Sequence, residues 1–376
     1  MKFGRGISLG IIWCACAMLA SCSTTPPEPG KPLQIIAIDV EGGAATLYIT
    51  PEGKSLLVDT GWPTGRGGRR PPAGAPASTD PSSADKIIAA ARRAGLSKLD
   101  IVLITHYHVD HVGGLGELMS KFQVGELLDH GPNRETPSVN DNPANDPMKL
   151  YAEYERLIAG YPRRSLKPGD TVKIGSVVLT IMTSDGAVIG TPLPDGGQST
   201  PFCAAMTDKL ENGGEENARS VGFLLNYGSA RVVSLGDLTW NVEKDLVCPV
   251  NKAGRTDLLF VSNHGSNLNN SPALLHALTP RVAIMNNGAR KGGDTETFDT
   301  LSAAPGLQRL WQLHFSTKGG MARNPAEAYI ANLTDEPDQY AALYVSVFAD
   351  GRMTVLNGRS GFSESYAPTL TQHAGK

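Results

Sequence analysis

The chain has 376 residues, 40% hydrophobic and 19% charged, an ordinary globular composition with enough apolar residues for a sizeable core. Its formal net charge of −3 excludes an overall basic field that would draw it to nucleic acid, so no stable nucleic-acid complex is expected. Gly at 42 and Pro at 26 predict many turns and at least one unstructured stretch.

The N-terminus stands apart from the fold. Lys2 and Arg5 precede a short apolar run, Ile7 to Leu19, too short to be read first as a spanning helix. The run ends in Leu19-Ala20-Ser21-Cys22, which resembles the lipobox of bacterial lipoproteins. That resemblance implies a signal peptide over 1–21, acylation of Cys22, a polar tether over 22–32 and an anchor in the cell envelope, with Ser23 pointing to the outer membrane. An ordinary secretory signal is the alternative. With Cys14 and Cys16 in the signal and Cys22 lipidated, Cys203 and Cys248 remain in the folded part. Two cysteines in an oxidising compartment predict a disulfide, with two buried thiols as the other reading.

From Leu33 the pattern becomes regular. Leu33–Val40, Ala45–Thr50 and Ser55–Asp59 read as an antiparallel meander. Residues 62–82 carry no apolar periodicity and are expected to form a loop. A helix is expected over Ser83–Ala94 with Ser83 as its cap, then a buried strand over Leu99–Ile104. Helices over Gly114–Phe122 and Asp146–Ile158, a strand over Val124–Asp129 and a hairpin around Gly175-Ser176 follow. Residues 185–218 look like a long flexible insertion. Strands resume at Val221, Arg231, Leu258 and Val282. The whole reads as one domain over 33–362 with a tail over 363–376.

The chemistry concentrates where the Leu99 strand ends, in Thr105-His106-Tyr107-His108-Val109-Asp110-His111-Val112-Gly113-Gly114. Alternate side chains of extended backbone share a face, so His106 and His108 can point to one metal. Asp110 and His111, on the turn into a helix, can serve a neighbouring metal, with Gly113-Gly114 letting the chain bend. Imidazoles with carboxylates suit zinc first, and also manganese or iron. Two later apolar strands end in Gly236-Asp237 and in Asn263-His264-Gly265-Ser266. Asp237 can bridge two metals and His264 can ligate the second.

These motifs, together with Asp39-Val40 and Leu57-Val58-Asp59-Thr60-Gly61, resemble the metallo-β-lactamase fold superfamily in kind and order over residues 33 to 300. Asp39-Val40 and His264-Gly265-Ser266 are most similar to the extracellular hydrolase domain of the ComEC DNA-uptake protein, without its channel. The segment Val40-Glu41-Gly42-Gly43-Ala44 and the residue Asn263 depart from that pattern. The resemblance implies an α/β (α+β) protein, an αββα sandwich with a dinuclear site at one edge. It implies that His106 and His108 hold one ion, Asp110, His111 and His264 the other, and that Asp237 bridges. A third histidine for the first ion is expected between His111 and Asp237, and only His130 lies there. His314 and Asn263 are candidates for lining the pocket.

Two divalent ions would lower the pKa of a bound water from 15.7 toward about 7, giving hydroxide at neutral pH with Asp110 to orient it and accept its proton. The expected function is an exported hydrolase of a phosphodiester or other small-molecule substrate. A β-lactam or lactone hydrolase is the second reading, and a metal-bound envelope protein without turnover the third.

Overall fold

The computed structural model describes residues 30–65, 80–135, 145–209, 214–334 and 340–368, together with Met1. The expected signal peptide beyond Met1, the expected lipidation site Cys22 and most of the expected tether lie outside these residues.

The described strands are β1 Leu33–Ala37, β2 Thr46–Ile49, β3 Ser55–Val58, β4 Lys98–Leu103, β5 Gln123–Asp129, β6 Arg163–Ser165, β7 Thr171–Ile174, β8 Val177–Ser184, β9 Ala187–Val188, β10 Gly222–Tyr227, β11 Ala230–Ser234, β12 Leu258–Phe260, β13 Val282–Met285, β14 Arg309–His314, β15 Ile330–Asn332, β16 Leu343–Val347, β17 Met353–Asn357 and β18 Ser363–Tyr366. The helices are α1 Ser83–Arg93, α2 Val109–Val112, α3 Leu115–Lys121, α4 Pro147–Ile158, α5 Gly214–Ala218, α6 Trp240–Val247, α7 Pro272–Leu278, α8 Thr295–Ser302 and α9 Gly320–Arg323. One sheet runs β18-β17-β16-β1-β2-β3-β4-β5-β6, and the other β15-β14-β13-β12-β11-β10-β8-β7 with β9 on β8.

Strand alternation builds the layers. Ile35, Leu56, Ile101 and Leu103 of the first sheet meet Leu179, Phe223, Val232, Phe260 and Ile284 of the second in a core between the sheets. Their neighbours Ile36, Leu57 and Val102 face the other way, onto Ile87 of α1, Leu118 of α3 and Tyr154 of α4. On the far side of the second sheet, Leu224, Val233, Leu259 and Ala283 pack on Leu246, Leu274 and Phe298 of α6, α7 and α8. Strands buried on both faces must be apolar at consecutive positions, which is why these segments read as continuous apolar runs. The result is the expected αββα sandwich.

Several local expectations shift. The cap of α1 is Ser82, whose hydroxyl accepts from Asp85 N while Asp85 reaches back to the Ser82 backbone, a reciprocal arrangement that wins over Ser83. Gly113 and Gly114 have ordinary right-handed φ values of −63° and −79°. They are glycines because a Cβ at Gly113 would strike Val109 O and Pro63, and one at Gly114 would strike Thr60 O. The expected tail contains β18, antiparallel on β17, so the sheet extends past residue 362. The expected flexible insertion is in part built: Thr200 donates to Val247 O, and Cys203 is disulfide-bonded to Cys248 with a Cα separation of 5.6 Å. A closure of this length contributes about 4 kcal/mol in the chain-entropy account.

The sheets are also tied by charge. His314, at the end of β14, donates through Nε2 to Asp39 Oδ1 at 2.8 Å, just past the end of β1. Burial opposes charge on both groups. Each nevertheless favours the other's ionised form, so His314 is raised above the ordinary histidine value and Asp39 is held below the usual carboxylate range. The contribution of a raised histidine is complete below its unfolded pKa and is lost as pH rises through its folded pKa. His314→Gln leaves the buried Asp39 carboxylate without this partner and should cost about 3–5 kcal/mol. In urea denaturation the gap between wild type and His314→Gln should be widest below about pH 6, the acid side of the ordinary histidine range, and narrow as the pH rises above that range. A pH-independent gap would show that packing alone is lost.

Candidate metal centre

Parallel strand ends place the site. β1 and β3 run in the same direction, β3, β4 and β5 are parallel, and β11 through β15 are parallel. Asp39, Asp59, His106 and His130 follow β1, β3, β4 and β5. Asp237, His264 and Asn286 follow β11, β12 and β13. All therefore collect at one edge of the sandwich. Left-handed backbone helps turn the chain there, with φ of 60° at Asp59, 47° at Asn263 and 53° at His264. Such conformations in non-glycine residues cost of order 1 kcal/mol each and persist where the surroundings fix them.

Four buried side chains converge. His111 Nε2 lies 3.4 Å from Asp110 Oδ2, 3.3 Å from Asp237 Oδ2 and 3.3 Å from His264 Nε2. His264 Nε2 lies 3.1 Å from Asp110 Oδ2 and 3.5 Å from Asp237 Oδ2. One donor atom from each of the four falls within 4.8 Å of the others. The remaining ring nitrogens are occupied. His111 Nδ1 donates to Asp59 Oδ2 at 2.8 Å, and His264 Nδ1 donates to the Asn286 carbonyl at 2.9 Å. These bonds turn the Nε2 atoms inward, as a metal requires of its imidazole ligands.

The second imidazole pair is arranged in the same sense. His106 Nε2 and His108 Nδ1 are 3.1 Å apart. Thr105 Oγ1 donates to Asp59 Oδ2 at 2.8 Å, so it accepts from His106 Nδ1 at 3.1 Å. His108 Nε2 is turned to Glu135 Oε2 at 3.5 Å. All four imidazoles thus present one nitrogen to the same edge, and the donor chemistry fits divalent ions.

The electrostatics agree. Burial opposes charge on His111, but Asp237, Asp110 and Asp59 outweigh it and lift the ring well above the ordinary value. Burial and Lys291 oppose charge on His264, which is raised by Asp237 and Asp110. Burial would raise Asp110, yet Lys291 and His111 hold it well below the carboxylate range. His111 and His264 do the same for Asp237. Burial together with neighbouring His111 and His108 pushes His106 well below the usual value, so it stays neutral.

His130 does not join either group. Its Nε2 donates to Glu216 Oε2 at 3.0 Å, its ring lies on Tyr107, and Glu216 also accepts from Tyr107 N at 3.1 Å. A buried carboxylate takes the donor the sequence reading assigned to the first metal. His314 is likewise engaged, with Asp39, and so is not a free pocket wall. Asp39, Glu41 and His314 form a second cluster within 4.8 Å, but Lys86 Nζ stands 3.5 Å from Glu41 and supplies the positive charge an ion would bring. Asn263 donates to Asn269 Oδ1 and borders a cavity of about 30 Å³ behind His111, Asp237 and His264, with room for about one water. A larger cleft of about 600 Å³ lies at the other edge, among Arg231, Asp257 and Arg281 at the strand starts, and contains none of these groups.

Sequence reading left Asp59, Thr105, Glu135, Glu216 and Lys291 without roles, although Asp59 stands in the quoted Leu57-Val58-Asp59 motif. It also left out Glu243. That carboxylate accepts from Asn270 N at 2.7 Å and Ser271 N at 2.8 Å, holding the segment that follows His264, and burial pushes it up to about 7.

A family model described as the metallo-beta-lactamase superfamily matches residues 39–285. A hydroxyacylglutathione hydrolase of Rhodopseudomonas palustris (strain BisA53) is 33% identical over 116 residues, 31% of this chain and 36% of that protein. One from Vibrio cholerae (strain M66-2) is 35% identical over 91 residues, 24% of this chain and 35% of that protein. The matched segments thus span about a third of the length of these curated relatives. Among solved structures, the metallo-beta-lactamase fold protein YhfI from Bacillus subtilis aligns at a TM-score of 0.44 and 12% identity, covering 75% of this chain and 96% of that one.

The two groups differ in donor number, which predicts unequal loading. Chelator-stripped protein titrated with zinc should take up one equivalent tightly and a second more weakly, the four-donor group filling first. Asp237→Ala should weaken both steps. His130→Ala should leave metal content unchanged and lower stability by about 1–3 kcal/mol through Glu216. Calorimetric titration with metal analysis checks this, and loss of one equivalent in His130→Ala would return His130 to the ligand set.

Proposed function

The chain belongs to the metallo-β-lactamase superfamily and is a metal-dependent hydrolase, and from that premise we propose that it cleaves phosphodiesters outside the cytoplasm, held to the membrane through Cys22. The observation that carries the catalytic reading is the inward-facing set His106 Nε2, His108 Nδ1, His111 Nε2 and His264 Nε2 around Asp110 and Asp237. His111, His264, Asp110 and Asp237 would hold one ion, and His106 and His108, with Asp237 shared, the other.

When bound, divalent ions supply Lewis acidity and make water available as a nucleophile near neutral pH. The protein's part is positioning. Asp59 fixes the His111 ring directly and the His106 ring through Thr105, so one carboxylate orients both groups. Asn269 donates to the Asp237 carbonyl at 3.1 Å and ties Asp237 to the segment that carries His264. Asp110, kept ionised by its neighbours, is suited to orient an attacking water as a hydrogen-bond acceptor; its low basicity makes it a poor store for the proton.

Phosphodiesters come first because of the likeness to the ComEC hydrolase domain at Asp39-Val40 and His264-Gly265-Ser266. The matches to hydroxyacylglutathione hydrolases favour a second reading, cleavage of an acyl thioester, beside β-lactam or lactone hydrolysis. Export is supported by the apolar N-terminal run ending at Cys22 and by the Cys203–Cys248 bond, which suits an oxidising compartment.

Zinc- or manganese-loaded protein should turn over bis(p-nitrophenyl) phosphate faster than nitrocefin, a lactone or a glutathione thioester. The reverse order would replace the phosphodiester reading. Asp59→Asn should cost about 10–100-fold in metal affinity or activity, since it loosens ligands without removing one. In cells, Cys22→Ser should abolish lipid labelling and release the protein from the membrane fraction. Unchanged fractionation after cleavage at the same place would point to another anchor.

A further inference from the structure

We propose that the Lys291 ammonium anchors an anionic oxygen of the substrate, so that the enzyme selects esters carrying negative charge beside the bond that breaks. This rests on the hydrolase reading above and narrows its substrate class.

Lys291 follows β13 on a turn that is held from several sides. Gly288 N donates to the Lys291 carbonyl at 2.9 Å, and Thr317 N donates to the Ala289 carbonyl at 2.8 Å. Gly42 packs against Gly288 so closely that a Cβ there would come within 3.0 Å of it and 3.2 Å of Lys291 Cβ. From this fixed backbone the side chain reaches the mouth of the site. Its Nζ is paired with Asp110 Oδ2 and lies 4.9 Å from the centre of the Trp62 ring, and 36% of the side chain is exposed. Among the described residues, Asp110 is its one ion-pair partner.

Asp110 is also one of the four converging donors. A divalent ion in that group draws on the same carboxylate, and the ammonium then has less of its partner. What remains to it is the Trp62 face, a weaker cation–π contact, and solvent. A lysine so placed is a compact positive charge, partly exposed, directly beside the reacting edge. A non-bridging phosphodiester oxygen is the group that completes its hydrogen-bonding shell, through a charge-assisted bond. No neutral ester oxygen offers the same charge.

Zinc-loaded wild type, Lys291→Met and Lys291→Arg are compared by calorimetric binding of methylphosphonate and by the ratio of kcat/KM for bis(p-nitrophenyl) phosphate to that for neutral p-nitrophenyl acetate. Metal content is measured for each. Lys291→Met should bind methylphosphonate roughly tenfold more weakly and lower the ratio by a similar factor, mainly through KM, with metal content equal to wild type. Lys291→Arg should recover most of the binding. Unchanged methylphosphonate affinity, an equal fall on both esters, or loss of metal in Lys291→Met would overturn the proposal and make Lys291 a support for Asp110. If methylphosphonate binds through Lys291 while the phosphodiester is not cleaved, the anion anchor stands and the phosphodiester reading falls.

Discussion

Asp110 and Asp237 bring two carboxylates within reach of the Nε2 atoms of His111 and His264, where all four side chains are buried. Asp59 adds a third carboxylate against the far side of His111. Charges removed from water in this way are costly unless opposite charge sits among them. Lys291 offsets part of it. The rest is met either by protons on the two imidazoles, which is why both are raised, or by a divalent cation. The need for positive charge is thus a property of the folded chain, and a metal displacing protons from this set is the chemistry such a group supports.

Everything else about the fold serves to keep those groups at one edge. Strands buried on both faces carry mostly apolar side chains along their length, and Asp39, Asp59, His106, Asp237 and His264 stand just past strand ends. Parallel β3 to β5 and β11 to β15 put the relevant ends together. The sheets approach each other at this edge through polar contacts as well as packing: His314 to Asp39, His111 to Asp237, and Asn286 Nδ2 to Thr46 Oγ1 at 3.2 Å. The site and the clasp that closes the sandwich are therefore parts of one polar seam.

Much of this was legible in the sequence, for a physical reason. Apolar runs that end in His, Asp or Gly-Asp announce both the strand and what it delivers, so β4, β11 and β12 and the residues His106 to His111, Asp237 and His264 could be read directly. The Cys203–Cys248 pairing could be expected from counting. What could not be read were partners chosen in three dimensions. His130 follows a strand as the ligands do, but Glu216, far away in a stretch poor in periodicity, claims its Nε2. Gly113 and Gly114 look like hinge glycines, whereas Pro63 and the Thr60 carbonyl pressing on them are the cause. Lys291 sits in Ala289-Arg290-Lys291-Gly292-Gly293, which looks like any basic turn until β13 carries it to Asp110.

The loss of His130 to Glu216 makes the two halves of the edge unlike each other. On one side Asp110, His111, Asp237 and His264 are held from behind by Asp59, Asn286 and Asn269, and are coupled through their charges. On the other, His106 and His108 form a pair, with Glu135 facing the outer nitrogen of His108. An imidazole pair brings no negative charge that must be offset, unlike buried carboxylates, and it offers fewer donors. Lys291 stands on the charge-rich side, against Asp110. An anion arriving there meets the Lys291 ammonium, while the His106–His108 side would hold an ion with fewer protein donors. That asymmetry gives the edge a binding end and an open end, which is an arrangement suited to holding one part of a substrate still while another part reacts.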